Sequence, residues 1–172
     1  LMTVNISARQ FLQDNLVDVV SGVLQQTGFD PHRLQLELTE TALMTHNPAV
    51  LQRMRALTDM GISFSLDDFG TGYSSLSYLS RLPISTIKID RSFVVGMAID
   101  ARHVAIVSAV VAMSRALNIK VVAEGVEEAR QVEYLRAAGC EVVQGFFFSR
   151  PVSADACTAL LRAGVIQPSR RR

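Results

Sequence analysis

The chain has no tryptophan, two cysteines and three histidines among its 172 residues. Cys140 and Cys157 stand far apart and fit neither a metal nor a redox spacing, so they read as small buried hydrophobes in a reduced compartment. His32, His46 and His103 fall in turns or helix starts and read as ordinary surface residues. No cluster of imidazoles or thiolates is therefore on offer to zinc. An excess of either charge is missing too: 17 Lys and Arg face 16 Asp and Glu, for a net charge of +1. That balance makes no electrostatic case for DNA or for a membrane surface. No apolar run reaches the length of a bilayer span, and the first residues lack a charged-then-apolar leader pattern. The apolar stretch Val104 to Val111 is short, is interrupted by Ser108 and suits a buried helix. Arg170, Arg171 and Arg172 form the only basic run and read as a frayed tail, residues 166–172, behind a domain of residues 1–165. No linker, repeat or low-complexity segment is visible. With 49% hydrophobic and 19% charged residues, this is one globular domain able to bury a core.

Short apolar runs alternate with longer helical stretches. Strands are expected at Met2 to Ile6, Leu34 to Leu38, Ile62 to Leu66, Thr86 to Ile89, Lys120 to Ala123 and Glu141 to Val143. Helices are expected within Asp14 to Gln26, from Pro48 to Met60, around Arg102 to Leu117, from Glu128 to Ala138 and from Ala154 to Leu161, with a short one after the third strand. Gly28, Gly61 and Gly139 supply the stops. About six strand-then-helix units in a row predict parallel strands joined by right-handed crossovers, either an open doubly wound sheet or a (β/α) barrel. The first strand is followed by Ile6-Ser7-Ala8-Arg9, with no glycine-rich dinucleotide turn, which weakens the Rossmann alternative.

The polar residues carry the functional signal. Asn5 closes the first strand, Glu37 sits late in the second, Asp67 and Asp68 end the third, Lys88 lies in the fourth, Glu124 ends the fifth and Gln144 follows the sixth. Unpaired charges in strand interiors lose several kcal/mol of solvation, so six strands that each place a polar residue at the same end need a reason. In a barrel those ends converge on one mouth, where active sites are built. Four carboxylates there would repel one another unless cations neutralised them. An all-oxygen set suits Mg²⁺ or Mn²⁺. Adjacent Asp67 and Asp68 can both reach such a site only if the strand has ended and the chain turns; Asp67 could then bridge two ions. Two divalent ions about 3.5–4 Å apart are the usual arrangement for phosphodiester hydrolysis. Lys88 is one of two lysines against fifteen arginines. Its compact ammonium could orient the attacking water or neutralise charge on phosphate; the plainer reading is a salt bridge to Asp90.

Asn5-Ile6-Ser7, Glu37-Leu38-Thr39-Glu40, the loop Asp67-Asp68-Phe69-Gly70-Thr71-Gly72-Tyr73-Ser74-Ser75-Leu76, Lys88-Ile89-Asp90, Ala123-Glu124-Gly125-Val126-Glu127 and Gln144-Gly145-Phe146-Phe147-Phe148-Ser149-Arg150-Pro151 resemble, in order, the motifs of EAL-domain cyclic di-GMP phosphodiesterases. The resemblance covers essentially the whole chain. It implies an α/β fold, a TIM-like (β/α) barrel, hydrolysing cyclic di-GMP to linear pGpG with Mg²⁺ or Mn²⁺ in bacterial second-messenger signalling. By position it assigns Asn5, Glu37 and Asp67 to a first metal and Asp67, Asp68 and Glu124 to a second. Lys88 would hold the hydrolytic water, Glu124 would serve as base, and Gln144 would support the site through water. Glu40, Glu127 and the loop from Phe69 through Gly70, Thr71 and Gly72 to Ser75 would order the metal site and link it to a homodimer interface. The parent protein is expected to be cytoplasmic or anchored through upstream segments, with sensor or cyclase-like domains attached.

One element of the family pattern is missing: the string Glu-Ala-Leu does not occur in this chain. The family carries it, with a phosphate-contacting arginine, well upstream of the Asn-bearing strand, whereas four residues precede Asn5 here. The expectation is thus an incomplete barrel lacking the first two strands, weakly active or inactive alone, whether as a fragment or a natural truncation. A non-catalytic cyclic di-GMP receptor or protein-interaction module is the alternative. An unrelated metal-dependent barrel such as an enolase-type enzyme leaves the Asp-Asp-Phe-Gly-Thr-Gly loop unexplained.

Overall fold

The computed structural model describes residues 1–43, 48–71 and 76–166. Expectations placed on His46, on Gly72, Tyr73, Ser74 and Ser75, and on the arginine tail lie outside the described residues. The elements run β1 (Met2–Asn5), α1 (Ala8–Phe11), α2 (Leu16–Thr27), a 3₁₀ turn (Pro31–Arg33), β2 (Leu34–Thr39), α3 (Glu40–Leu43), α4 (Pro48–Asp59), β3 (Ser63–Phe69), α5 (Leu76–Leu79), β4 (Thr86–Ile89), α6 (Arg91–Gly96), α7 (Ala101–Ala116), β5 (Lys120–Ala123), α8 (Ala129–Ala137), β6 (Val142–Val143) and α9 (Ala154–Ala163). The strands lie in chain order in one six-stranded sheet, as successive βα units require. β2 pairs in parallel with β1 and with β3, and β6 pairs in parallel with β5.

Two compact units share the chain: residues 1–88 with 114–120, and residues 89–113 with 121 onward. In the first, local chemistry sets the punctuation. Ser7 and Gln10 close a capping box on α1, Gly28 ends α2 in the left-handed region, and the Asp30 carboxylate caps the 3₁₀ turn. β2 reads Leu-Gln-Leu-Glu-Leu-Thr, so its leucines and its polar residues fall on opposite faces. On the apolar face Leu36 lies level with Phe64 and Leu38 with Leu66 of β3, and these four are buried, as are Met54 and Leu57 of α4. Phe11 of α1 stands edge-on to Phe64 with ring centroids 6.1 Å apart. In the second unit, Ile89, Val94, Val107, Val111, Ala123, Val126, Leu135 and Cys140 form the core. Burial there pushes the Cys140 thiol above the ordinary range.

Three expectations change. β3 does not stop at Leu66 but runs to Phe69. Cys157 is exposed on α9, a helix with no buried residue, rather than a small core hydrophobe. His103 is not an ordinary surface residue: its ring packs edge-on to Phe93 at 5.7 Å, lies against the Cα of Gly96, and buries Nδ1. Among the described residues no helix is long and apolar enough to cross a membrane. The core assignment is checked by urea unfolding. Phe64→Ala should cost about 3–5 kcal/mol through the cavity it leaves, whereas Leu161→Ala, at a position 77% exposed, should change stability by no more than about 0.5 kcal/mol.

Candidate active site

In the first unit, register places the polar faces of the strands. Asn5 lies level with Glu37, Glu37 with Ser65, and Thr39 with Asp67. Because side chains alternate, Ser65 and Asp67 share one face of β3, and Glu37 shares its face of β2 with Gln35 and Thr39. β4 repeats the pattern, with Ile87 and Ile89 on one face and Thr86 and Lys88 on the other, all four buried. The deeper layer is uncharged: Gln35 Nε2 donates to Thr86 Oγ1 at 3.1 Å and to Ser85 Oγ at 3.3 Å. The charged layer lies toward the strand ends.

There, Lys88 Nζ donates to Glu37 Oε2 at 2.8 Å and stands 3.0 Å from Asp67 Oδ1. The Lys88 and Glu37 side chains are each 9% exposed and that of Asp67 17%. At such burial the pairing matters: removing one partner of a buried ion pair typically costs about 3–5 kcal/mol. Asp90, the plainer candidate partner for Lys88, caps α6 by accepting from Ser92 N at 2.9 Å and from the Ser92 hydroxyl. Asn5 is exposed on β1.

Asp68 answers the question its neighbour raises. Two adjacent strand residues point to opposite faces unless the backbone breaks the pleat. Asp68 breaks it inside β3, with φ +54°, a left-handed conformation that aspartate tolerates better than most side chains. Thr71 then closes the turn, its Oγ1 donating to the Asp68 carbonyl at 2.8 Å. Phe69 is buried and anchors the segment. Glu40, 2% exposed at the head of α3, accepts from the Gly70 N–H through Oε2 at 3.2 Å.

In the second unit, Glu124 follows β5 and its N–H donates to Ile89 O at 3.1 Å, extending the ladder by one residue. Gln144 N donates to Ala123 O and Val126 N to Gln144 O, so the segments after β5 and β6 are knit together. Gln144 itself is exposed. Gly145 lies so close to Val126 that a Cβ there would sit 2.0 Å from the Val126 carbonyl oxygen. Gly125 has φ +69°, and a Cβ on it would lie 2.1 Å from Arg91 Cγ. The Arg91 stem thus covers Gly125 while its Nη2 pairs with Glu127 Oε1 at 2.7 Å. That pair is too exposed to add much stability, but it fixes where the chain after Glu124 goes. Gln131 Oε1 accepts from the N–H groups of both Glu127 and Glu128. Neither Arg91 nor Gln131 was expected from sequence. Glu128-x-x-Gln131 at a helix start was the available signal for the second, while nothing local marked the first.

Among the described residues no three His, Cys, Asp or Glu side chains converge on one point. Glu37 and Asp67 converge instead on an ammonium, so these two carboxylates do share a cation. Asn5, Glu37, Asp67 and Asp68 offer oxygen donors throughout, and the Ser65 hydroxyl, buried and level with Glu37, finds no partner among the described residues. Hard oxygen donors and an unsatisfied hydroxyl fit a hydrated divalent cation better than a soft metal.

The model of the EAL domain family matches residues 1–151. The chain belongs to that family. It is 49% identical over 154 residues to the bifunctional diguanylate cyclase/cyclic di-GMP phosphodiesterase MucR of Pseudomonas aeruginosa, over 90% of this chain and 22% of MucR. Among solved structures, it is similar to the PaMucR phosphodiesterase in complex with c-di-GMP, with TM-score 0.87 and 48% identity over 90% of this chain and 63% of that one. It is also similar to BlrP1 of Klebsiella pneumoniae in a manganese and cyclic di-GMP complex, with TM-score 0.80 and 35% identity over 87% of this chain and 38% of that one. The fold is thus the α/β, TIM-like fold of EAL structures. The chain spans about a fifth of the length of the curated relatives it matches.

The Glu40–Gly70 bond yields a direct test. Glu40→Ala removes a charged acceptor from a backbone donor, so exchange of the Gly70 amide with deuterium should quicken about 10–100-fold, with strand amides of β2 and β3 little changed. Unaltered exchange at Gly70 would mean that Glu40 does not hold this turn.

Proposed function

We propose that this chain is the metal-binding portion of a cyclic di-GMP phosphodiesterase that adds water across one phosphodiester bond to give linear pGpG. The observation that carries the reading is the buried pair of carboxylates, Glu37 and Asp67, sharing one cation on β2 and β3. Membership of the EAL domain family and the cyclic di-GMP complexes of its relatives support the substrate. On this reading Asn5, Glu37 and Asp67 hold one Mg²⁺ or Mn²⁺, and Asp67, Asp68 and Glu124 a second. When bound, the cations supply Lewis-acid polarisation of the phosphodiester. Lys88 donates a hydrogen bond to the attacking water and so fixes its lone pair toward phosphorus. Glu124 accepts the proton that this water loses. Gln144 orders solvent at the site, and Glu40, Glu127 and the turn from Phe69 to Thr71 hold the ligand-bearing segments. The presence of Asp67, Asp68 and Lys88 together argues for catalysis over passive binding of the dinucleotide. Residues 1–165 make up the domain portion, acting as a homodimer in a protein with further sensor or cyclase-like domains, as the bifunctional name of MucR suggests for the relatives.

The test uses the natural full-length protein that carries this chain, with pGpG formation followed chromatographically. Chelation should abolish turnover and Mg²⁺ or Mn²⁺ restore it, with Ca²⁺ a poor substitute because its looser coordination holds the geometry badly. Asp67→Asn and Glu124→Gln should each lower kcat by about 10²–10⁴-fold without loss of the folded state. Turnover that survives chelation, or a Glu124→Gln protein as active as the parent, would refute the reading.

A further inference from the structure

We propose that Lys88 is the resident counter-ion of the metal site, and that a divalent cation binds by displacing its ammonium from between Glu37 and Asp67. The inference rests on the metal reading above and goes beyond it by giving Lys88 a role before any substrate arrives. Lysine in the middle of a strand whose four residues are all buried would be expelled or neutralised without partners. Here it is held by two carboxylate oxygens at 2.8 and 3.0 Å. The reverse dependence is as strong, since Glu37 and Asp67 lie on adjacent strands and would repel each other across the pair if nothing positive stood between them.

Charge and size then set up an exchange. A dication between two carboxylates attracts each of them more strongly than a singly charged ammonium does, the more so at its shorter contact distance. A divalent ion of the Mg²⁺ class needs oxygens at about 2.0–2.1 Å, well inside the distances at which Lys88 Nζ stands. Ion and ammonium therefore cannot share the position. Lysine suits the exchange because its charge is compact and its four-carbon stem swings freely, unlike a guanidinium fork. The Ser65 hydroxyl, level with Glu37 and without a partner among the described residues, gives a hydrated ion a further polar contact that the ammonium leaves unused. Once displaced, Lys88 stays tethered beside the metal and is free to meet the water or the phosphate. Loading the site thus turns a structural counter-ion into a positioning group.

The experiment compares the wild-type chain with Lys88→Met by thermal unfolding, in EDTA and across a MnCl₂ titration, with calorimetry for Mn²⁺ affinity. In EDTA the variant should melt about 10 °C lower, as expected for two uncompensated carboxylates. Saturating Mn²⁺ should raise its melting temperature more than that of wild type and close at least half of the gap. Mn²⁺ should also bind the variant about tenfold more tightly, because its competitor is gone. Equal or weaker Mn²⁺ binding by Lys88→Met, with the gap unchanged, would overturn the displacement while leaving the metal reading intact. No response of either protein to Mn²⁺ would overturn both. Should Lys88→Met be insoluble with and without Mn²⁺, the double variant Lys88→Met/Glu37→Gln decides: recovery of a soluble fold supports charge compensation, and continued insolubility overturns it.

Discussion

A lysine ammonium shared by two carboxylates on adjacent buried strands constrains everything around it. Lys88 can reach Glu37 and Asp67 together only because β2 and β3 are paired so that Glu37 is level with Ser65 and one pleat short of Asp67. A slip of one residue in that pairing would turn a carboxylate toward the leucine face, where Leu36, Leu38, Phe64 and Leu66 are packed. The apolar core and the charged layer thus specify the same register from opposite faces. Asp68 departs from that order, with a backbone that turns left-handed inside the strand.

The second unit solves a different problem, the placement of one carboxylate just beyond a strand. Glu124 is tied to the sheet by its own N–H, and the chain after it is pinned on two sides: by the Arg91 stem over Gly125 and by Gly145 against the backbone of Val126. Side chains larger than hydrogen at either glycine would push these segments apart. Gln131 completes the support by accepting from two successive N–H groups at the start of α8. Side chains and backbone thus both set the path of the chain after Glu124, with the exposed Arg91–Glu127 pair acting as a guide rather than a source of stability.

Much of this was readable from the residues. β4 and β5 fall at the expected positions because short apolar runs bounded by turn residues leave little freedom. α1, α3 and α6 were not foreseen, since single-turn and two-turn helices are too short to set up a periodicity. Two aspartates in a row read as the end of a strand, whereas β3 continues through them with one residue in an unusual conformation. The identity of the residues at the strand ends was legible, but their pairing was not. Asp90 is two positions from Lys88 in sequence, while Glu37 lies 51 positions away and is brought close only by the sheet. His103 and Cys157 depart from expectation for the same reason, as neither the ring's seat against Gly96 nor the exposure of α9 leaves a local trace.

The central claim is that Glu37 and Asp67 are a cation site held ready by Lys88. Crystals of the chain grown with MnCl₂ and measured at the manganese absorption edge test it most directly. The account predicts an anomalous peak in bonding contact with oxygens of both Glu37 and Asp67, and Lys88 Nζ withdrawn from the 2.8 and 3.0 Å positions it holds without metal. Lys88 still bridging both carboxylates at those distances, with manganese absent or bound elsewhere, would contradict it.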